Sequence, residues 1–127
     1  MNKILVIDDD ELLLNLMQIL LEKEGYLVLS TADAPRGIEL YIEQRPDIVL
    51  LDLGLPSMNG LEVLRKIRRI DGHAKVIVVT GHGSDESAEV AQRYGACAFV
   101  QKPFDNTQFL EILRSAVEAR RDYHKDV

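Results

Sequence analysis

Five short apolar runs recur along the chain, and a longer segment of helical periodicity follows each of them. Four of the runs are almost continuously apolar, which is typical of strands that helices cover on both faces of a sheet. This alternation predicts a parallel sheet with right-handed crossover connections, folded as one domain. The predicted strands are Lys3–Ile7, Leu27–Thr31, Asp47–Leu51, Lys75–Thr80 and Cys97–Val100.

Apolar residues at helical spacing define the inward faces of the predicted helices, and capping residues mark their ends. The predicted inward residues are Leu13, Leu16, Met17 and Leu20 in the first helix, Ile38, Tyr41 and Ile42 in the second, Leu64 and Ile67 in the third, and Phe109, Leu113, Ala116 and Val117 in the fifth. The residues predicted to begin helices are Asp10, Asp33, Asn59, Ser84 and Asp105, and those predicted to end them are Gly25 and Gly95.

Composition and charge exclude several classes of function. The net charge of −6 argues against direct binding of nucleic acid, which requires a basic face. A single cysteine, Cys97, allows neither an intramolecular disulfide nor a cysteine-based zinc cage, and we expect it to be a small buried residue. The chain shows no signal-peptide pattern and no apolar run near the ~20 residues that span a membrane. We therefore expect a cytoplasmic domain.

Charged and polar side chains stand where the predicted strands end. Asp8 and Asp9 follow the first strand, Asp52 follows the third, Thr80 ends the fourth, and Lys102 follows the fifth. Because parallel strands end at one edge of the sheet, we expect these side chains to converge there. Carboxylates so close together repel one another unless cations are present, and Mg²⁺ prefers carboxylate oxygens. The pattern predicts a magnesium site at which a carboxylate can accept a phosphoryl group.

The motifs around these residues resemble those of a known family. The acidic pair lies in VIDDDE, Asp52 in LLDLGLPSMNG, Thr80 in VIVVTGHG and Lys102 in KPF. In this order the motifs are similar to those of response-regulator receiver domains of bacterial two-component signalling, the family that includes the chemotaxis receiver. The resemblance implies a doubly wound (βα)5 sandwich, with a five-stranded parallel sheet of order 2-1-3-4-5. It assigns residues 1–121 to the receiver domain and leaves 122–127 as a tail or the start of a linker.

The resemblance also implies a metal site and a phosphoacceptor. Asp52 would accept the phosphoryl group, and Asp8, Asp9 and Asp52 would bind Mg²⁺ together with the backbone carbonyl of Gly54. From the residues alone, Asp8 and Asp9 could instead cap the first helix, since acids favour helix N-termini.

Three further residues would respond to the phosphoryl group. Lys102 would contact it directly, and the peptide bond between Lys102 and Pro103 would be cis. Thr80 would move toward it, and Phe99 would be the aromatic switch residue that turns inward with Thr80. Taken alone, Phe99 is equally well explained as a core residue and Thr80 as an ordinary strand residue.

The implied function is a phosphorylation-dependent signalling switch that assists its own phosphorylation, and not an enzyme. A sensor histidine kinase or a histidine phosphotransfer protein would donate the phosphoryl group. The change would reach the surface of the fourth helix, fifth strand and fifth helix, which would regulate an output domain or protein target, or form a homodimer.

Three other classes of protein fit the sequence less well. Haloacid-dehalogenase-type phosphatases place a second aspartate two residues after the nucleophile, where this chain has Gly54. The glycine motifs of dinucleotide-binding enzymes and P-loop NTPases are absent. A receiver-like module that binds partners without phosphorylation stays open as an alternative, although such modules usually lack one of the acids, the threonine or the lysine.

Overall fold

A computed structural model describes residues 2–81 and 85–119, in which strands and helices alternate. The strands are β1 (Lys3–Ile7), β2 (Leu27–Thr31), β3 (Ile48–Leu51), β4 (Val76–Thr80) and β5 (Ala98–Gln101). The helices are α1 (Glu11–Lys23), α2 (Ala34–Gln44), α3 (Gly60–Ile70), α4 (Asp85–Arg93) and α5 (Asn106–Glu118). All strand pairs are parallel and the order is β2-β1-β3-β4-β5, so the predicted fold is confirmed. The predicted Ser84 cap and the tail at 122–127 lie outside the described residues.

The register of the central strands places the carboxyl ends of β1 and β3 side by side. Ile7 pairs with Leu51, and the Asp52 amide donates a hydrogen bond to the Ile7 carbonyl at 2.9 Å. At the β4–β5 pair, the Lys102 amide donates to the Thr80 carbonyl, also at 2.9 Å. The residues that follow these strands therefore meet at one edge of the sheet.

Two apolar cores cover the opposite faces of the sheet. Successive residues of a strand point to opposite faces, so the nearly continuous apolar runs contribute to both cores. Helices α1 and α5 pack on one face, and α2, α3 and α4 pack on the other. The largest wholly buried side chains include Tyr41, Phe109, Leu64 and Ile67, as predicted.

Helix α1 packs on the sheet through a face that only partly matches the predicted one: Met17 is buried, and Leu13 and Leu20 are partly buried against the same core. Its buried residues are Leu14, Met17 and Leu21, whereas Leu16 is 56% exposed. Apart from a polar stripe formed by Glu11, Asn15, Gln18 and Glu22, apolar residues cover this helix, so periodicity alone could not select the part that packs against the sheet. Two other burial predictions were wrong: Ile42 is 49% exposed beside the buried Tyr41, and Cys97, which precedes the edge strand β5, is exposed.

The predicted helix caps are confirmed where the structure describes them. The carboxylates of Asp10, Asp33 and Asp105 and the amide oxygen of Asn59 each accept a backbone N–H of the first turn of their helix. The predicted strand starts are one residue early in β3, β4 and β5. None of the helices within residues 2–81 and 85–119 is long and apolar enough to cross a membrane.

Gly60, the first residue of α3, packs against the backbone that leaves β3. A Cβ atom at Gly60 would lie 2.4 Å from the Asp52 carbonyl oxygen and 2.5 Å from the Leu53 Cα atom. Because these are backbone atoms, the clash cannot be relieved by a side-chain rotation. We expect Gly60→Ala to lower the free energy of unfolding by about 1–3 kcal/mol, as overpacking does elsewhere.

Urea denaturation measures this effect, and Gly72→Ala is the matched control. A Cβ atom at Gly72 meets nothing within 4 Å, so this variant should unfold near the wild-type midpoint. Equal midpoints for the two variants would contradict the prediction, because they would show that a side chain at position 60 fits beside the Asp52 backbone without loss of stability.

Candidate functional site

Three carboxylates gather at the edge of the sheet where β1 and β3 end. One oxygen from each of Asp8, Asp9 and Asp52 lies within 4.8 Å of the others. Asp8 is 3% exposed and Asp52 is 4% exposed, whereas Asp9 is exposed. The predicted convergence of these acids is therefore what the structure shows, and solvent reaches the cluster from the side of Asp9.

Lys102 brings a positive charge to this cluster from the end of β5. Its Nζ atom lies 2.7 Å from Asp8 Oδ2 and 3.7 Å from Asp52 Oδ2. The peptide bond between Lys102 and Pro103 is cis, as the family resemblance implied. Among the ion pairs of the described residues, Lys102 is the only cation at the cluster, so three carboxylates share one positive charge.

Backbone amides hold the second oxygens of the two buried carboxylates. The Asp10 amide donates to Asp8 Oδ1 at 2.9 Å, and the Gly54 amide donates to Asp52 Oδ1 at 3.2 Å. Asp10 itself accepts the Leu13 amide as the N-cap of α1. This contact agrees with the helix-capping role that we predict for Asp10, which lies outside the three-carboxylate cluster.

The two proposed switch residues lie on neighbouring strands, Thr80 on β4 and Phe99 on the edge strand β5. Thr80 is wholly buried at the end of β4, beside Lys102 in the backbone ladder. Phe99 is half-buried on β5 and packs against the core that α2, α3 and α4 cover. The structure thus brings Thr80 to the same edge as the acids, whereas Phe99 pairs with Val78 and lies two residues farther from that edge.

The donor set suits a hard divalent cation. Carboxylate oxygens are the ligands that Mg²⁺ takes in proteins, and the exposed side of the cluster leaves room for the water ligands that Mg²⁺ retains. The unbalanced negative charge of Asp8, Asp9 and Asp52 favours a cation there as well. These residues therefore fit a magnesium site.

Burial raises the pKa of the Asp8 carboxyl above its ordinary value, and the hydrogen bond from Lys102 only partly opposes this effect. A raised pKa in the folded state means that this group stabilises the fold when protonated and loses that contribution as pH rises through the folded pKa. At neutral pH the ionised Asp8 carboxylate therefore lowers the free energy of unfolding when no metal is bound.

We expect Asp8→Asn to raise the free energy of unfolding in EDTA at neutral pH, by about 1 kcal/mol. The difference in the free energy of unfolding should shrink as the pH falls toward 3.8, the ordinary pKa of an aspartate, because the wild-type Asp8 carboxyl then takes up its proton. Adding Mg²⁺ should stabilise the wild type and not the variant, since ligand binding stabilises only the state that binds it. Thermal unfolding at several pH values, with and without Mg²⁺, measures both effects, and a variant less stable than wild type in EDTA would contradict the first.

Comparison with known proteins assigns this arrangement to a family. Residues 4–114 match the family model described as the response regulator receiver domain. The chain belongs to this family. Receiver domains act in two-component signalling, and the acidic pocket of this one is compatible with Mg²⁺.

Individual receiver proteins resemble the chain over almost its whole length. It is 33% identical to sporulation initiation phosphotransferase F of Bacillus subtilis (strain 168), covering 91% of this chain and 90% of that protein. It is 34% identical to the chemotaxis protein CheY of Thermotoga maritima, covering 87% and 93%. The crystal structure of a CheY-like receiver domain protein from Methanospirillum hungatei JF-1 superposes with a TM-score of 0.90 at 32% identity, covering 93% and 94%.

Two features of this receiver site were not predicted from the sequence. Lys102 is closer to Asp8 than to Asp52, although we expected it to serve the phosphoryl group on Asp52. Gly60 is required by the close approach of α3 to the Asp52 backbone, a contact that the motif containing both residues does not reveal. Both depend on how the elements pack, and no local pattern signals either of them.

Proposed function

We propose that this receiver domain is a switch in which Asp52 accepts a phosphoryl group from a phosphohistidine. The donor would be a sensor histidine kinase or a histidine phosphotransfer protein. The observation that carries the proposal is the position of Asp52, a 4% exposed carboxylate within 4.8 Å of two others and 3.7 Å from a lysine. A buried carboxylate close to two others destabilises the fold unless a cation binds it or it is covalently modified.

In the proposed reaction, one Asp52 carboxylate oxygen attacks the phosphorus atom. The new P–O bond forms as the P–N bond to the donor histidine breaks, and the imidazole leaves with the bonding electron pair. The Gly54 amide, which donates to Asp52 Oδ1, would orient the carboxylate so that Oδ2 is the attacking atom. The product is an aspartyl phosphate on Asp52.

Positive charge is required for a phosphoryl dianion to approach three carboxylates. Lys102 would exchange part of its contact with Asp8 for a phosphoryl oxygen, which its 3.7 Å distance from Asp52 Oδ2 places within reach. When bound by Asp8, Asp9, Asp52 and the carbonyl of Gly54, Mg²⁺ supplies the remaining positive charge at the transferred group.

The response to phosphorylation would travel through Thr80 and Phe99. The Thr80 hydroxyl would donate to a phosphoryl oxygen, and the half-buried Phe99 ring would repack against its core. The surface of α4, β5 and α5 would then change its affinity for an output domain, a protein target or a second copy of the chain. Residues 1–121 would form this one switching unit.

The phosphoryl group should persist long enough to act as a signal. Gly54 has no side chain that could serve as the general acid and base of a phosphatase. This argues for a phosphoacceptor regulator rather than an enzyme that turns over phosphate esters.

Intact-mass spectrometry after incubation with acetyl phosphate tests the proposal. The wild type should gain the mass of one phosphoryl group in the presence of Mg²⁺ and remain unmodified in EDTA. A chain that stays unmodified under conditions in which calorimetry shows Mg²⁺ binding would contradict the proposal. That result would favour the module that binds partners without phosphorylation.

A further inference from the structure

Helix α4 is attached to the domain mainly at its C-terminal end. Ala91, in the last turn, is the only buried residue of the helix Asp85–Arg93. Helix α3, in contrast, buries four residues spread from Gly60 to Ile67. A helix that buries a single alanine gains little from apolar packing. Contacts other than apolar burial must therefore hold α4, whereas α3 is fixed firmly to the sheet.

Two arginines of α3 lie against consecutive residues at the C-terminal end of α4. The Arg65 guanidinium carbon lies 5.6 Å from the centre of the Tyr94 ring, within the range of a cation–π contact. The Arg68 guanidinium covers Gly95, at which a Cβ atom would lie only 2.9 Å from Arg68 Cζ. Arg68 also donates a hydrogen bond to the Ala74 carbonyl at 2.9 Å, which fixes the position of its side chain.

The backbone at this end of α4 is closed by its own hydrogen bonds. Gly95 has a φ of 99°, a left-handed conformation that glycine adopts readily. The Gly95 amide donates to the Gln92 carbonyl and the Ala96 amide donates to the Ala91 carbonyl, both at 3.0 Å. Glycine at position 95 therefore permits the turn and also leaves the space that the Arg68 guanidinium occupies.

The opposite end of α4 lies on the side of the phosphoacceptor site. Four residues separate Asp85, the first residue of α4, from Thr80, which is buried at the acidic edge of the sheet. A cavity of about 280 Å³ lies between α4 and β5, and Ala88 and Phe99 are among the residues that line it. A movement of Thr80 would thus act on the end of α4 that buries no side chain and that has space beside it.

On the basis of the proposed function, we propose that Arg65 and Arg68 clamp the C-terminal end of α4 to α3, so that phosphorylation of Asp52 turns α4 about this end. The end nearest Thr80 is displaced, whereas the clamped end stays in place, as in a hinge. Neither arginine belongs to the acidic cluster. Both are positioning residues that decide which part of α4 moves.

Residue-resolved amide exchange in the unmodified protein tests the clamp. The reporters are the amides of Tyr94, Gly95 and Ala96, which donate the hydrogen bonds that close α4. We expect Arg68→Met to speed their exchange by about tenfold, the factor for one lost hydrogen bond from a charged group. Arg65→Met should speed it by about threefold, the factor for one lost cation–π contact at the surface. This variant keeps the hydrogen bond of Arg68, so it serves as the test if Arg68→Met does not fold.

Arg69→Met is the matched control, since Arg69 is an exposed arginine of the same helix. It should leave the exchange of the reporters unchanged. The amides of Gly25 and Tyr26 close α1 with the same pair of hydrogen bonds, to the carbonyls of Glu22 and Leu21. Their exchange should match the wild type in every variant, which separates an opening of α4 from a general loosening of helix ends.

NMR spectroscopy with acetyl phosphate and Mg²⁺ tests the turning of α4. In the wild type, we expect the resonances of Ser87 and Ala88 to shift, whereas nuclear Overhauser contacts between the Tyr94 ring and Arg65 should persist. In Arg68→Met the shifts should extend to Tyr94 and Gly95. All variants should be labelled at the wild-type rate, because the clamp lies outside the site of phosphorylation.

Exchange rates in both clamp variants that equal those of Arg69→Met would overturn the clamp. Loss of the contact between Tyr94 and Arg65 in the phosphorylated wild type would overturn the fixed end. Failure of acetyl phosphate to label the wild type would count against the proposed function. The exchange rates of the unmodified variants would still decide whether the two arginines hold α4.

Discussion

Replacing Asp52 with asparagine should abolish phosphoryl incorporation from any donor. The amide has no anionic oxygen to attack phosphorus. The neighbouring carboxylates do not occupy the position of the Asp52 carboxylate and therefore cannot replace it as the nucleophile. Asp8 is held by Lys102 at 2.7 Å and by the Asp10 amide, and Asp9 lies on the exposed side. We expect the labelling rate to fall by about 10³-fold or more, as when other nucleophiles are removed.

Intact-mass spectrometry with acetyl phosphate and Mg²⁺ measures this loss, and Asp47→Asn is the matched control. Asp47 stands just before β3, at the opposite end of the strand from Asp52, and its carboxylate accepts the Lys3 amide at 2.7 Å. An asparagine keeps an oxygen for that contact, so the control should label like the wild type. Labelling of Asp52→Asn at the wild-type rate would place the acceptor elsewhere, and peptide mapping would identify it.

Lys102→Met should impair both the chemistry and the stability of the domain. The variant keeps most of the length of the side chain but removes the cation that pairs with Asp8 and Asp52. Loss of one group that stabilises charge in a transition state typically costs about 10²–10³-fold in rate. Leaving the buried Asp8 carboxylate without its partner should also lower the free energy of unfolding in EDTA by about 3 kcal/mol.

Labelling kinetics and urea denaturation measure these two losses separately. Lys66→Met, on the exposed face of α3, controls for the removal of a lysine and should resemble the wild type in both assays. A double variant with Asp8→Asn should recover much of the stability, because no buried carboxylate is then left unpaired at position 8. A double variant as unstable as the sum of the two single changes would show that Lys102 acts through packing instead.

The helix caps and strand order illustrate what can be predicted from local pattern. Asn59 and Asp105 cap their helices as expected, because capping depends on residues within one turn. The strand order was implied by the resemblance, whose motifs stand at the strand ends. The site residues were predicted for the same reason: Asp8, Asp52 and Lys102 each follow directly on a recognisable strand.

Burial within α1 shows where such reasoning fails. Leu16 was expected inside and is exposed, whereas Leu14 and Leu21 are buried. Apolar residues occupy well over half of the circumference of this helix, so its pattern fits more than one orientation. The orientation is decided by which side chains fill the space between the helix and the sheet, a property of both elements together.

The amino-acid sequence by itself therefore determines the alternating architecture, the caps and the set of polar residues at the strand ends, because each follows from neighbours along the chain. Only the tertiary structure decides that Lys102 contacts Asp8 at 2.7 Å, that Gly60 must lack a side chain, and that Leu12, Leu16 and Ile19 face outward. These features depend on how the helices and strands pack against one another, and that packing is set by the two cores as a whole.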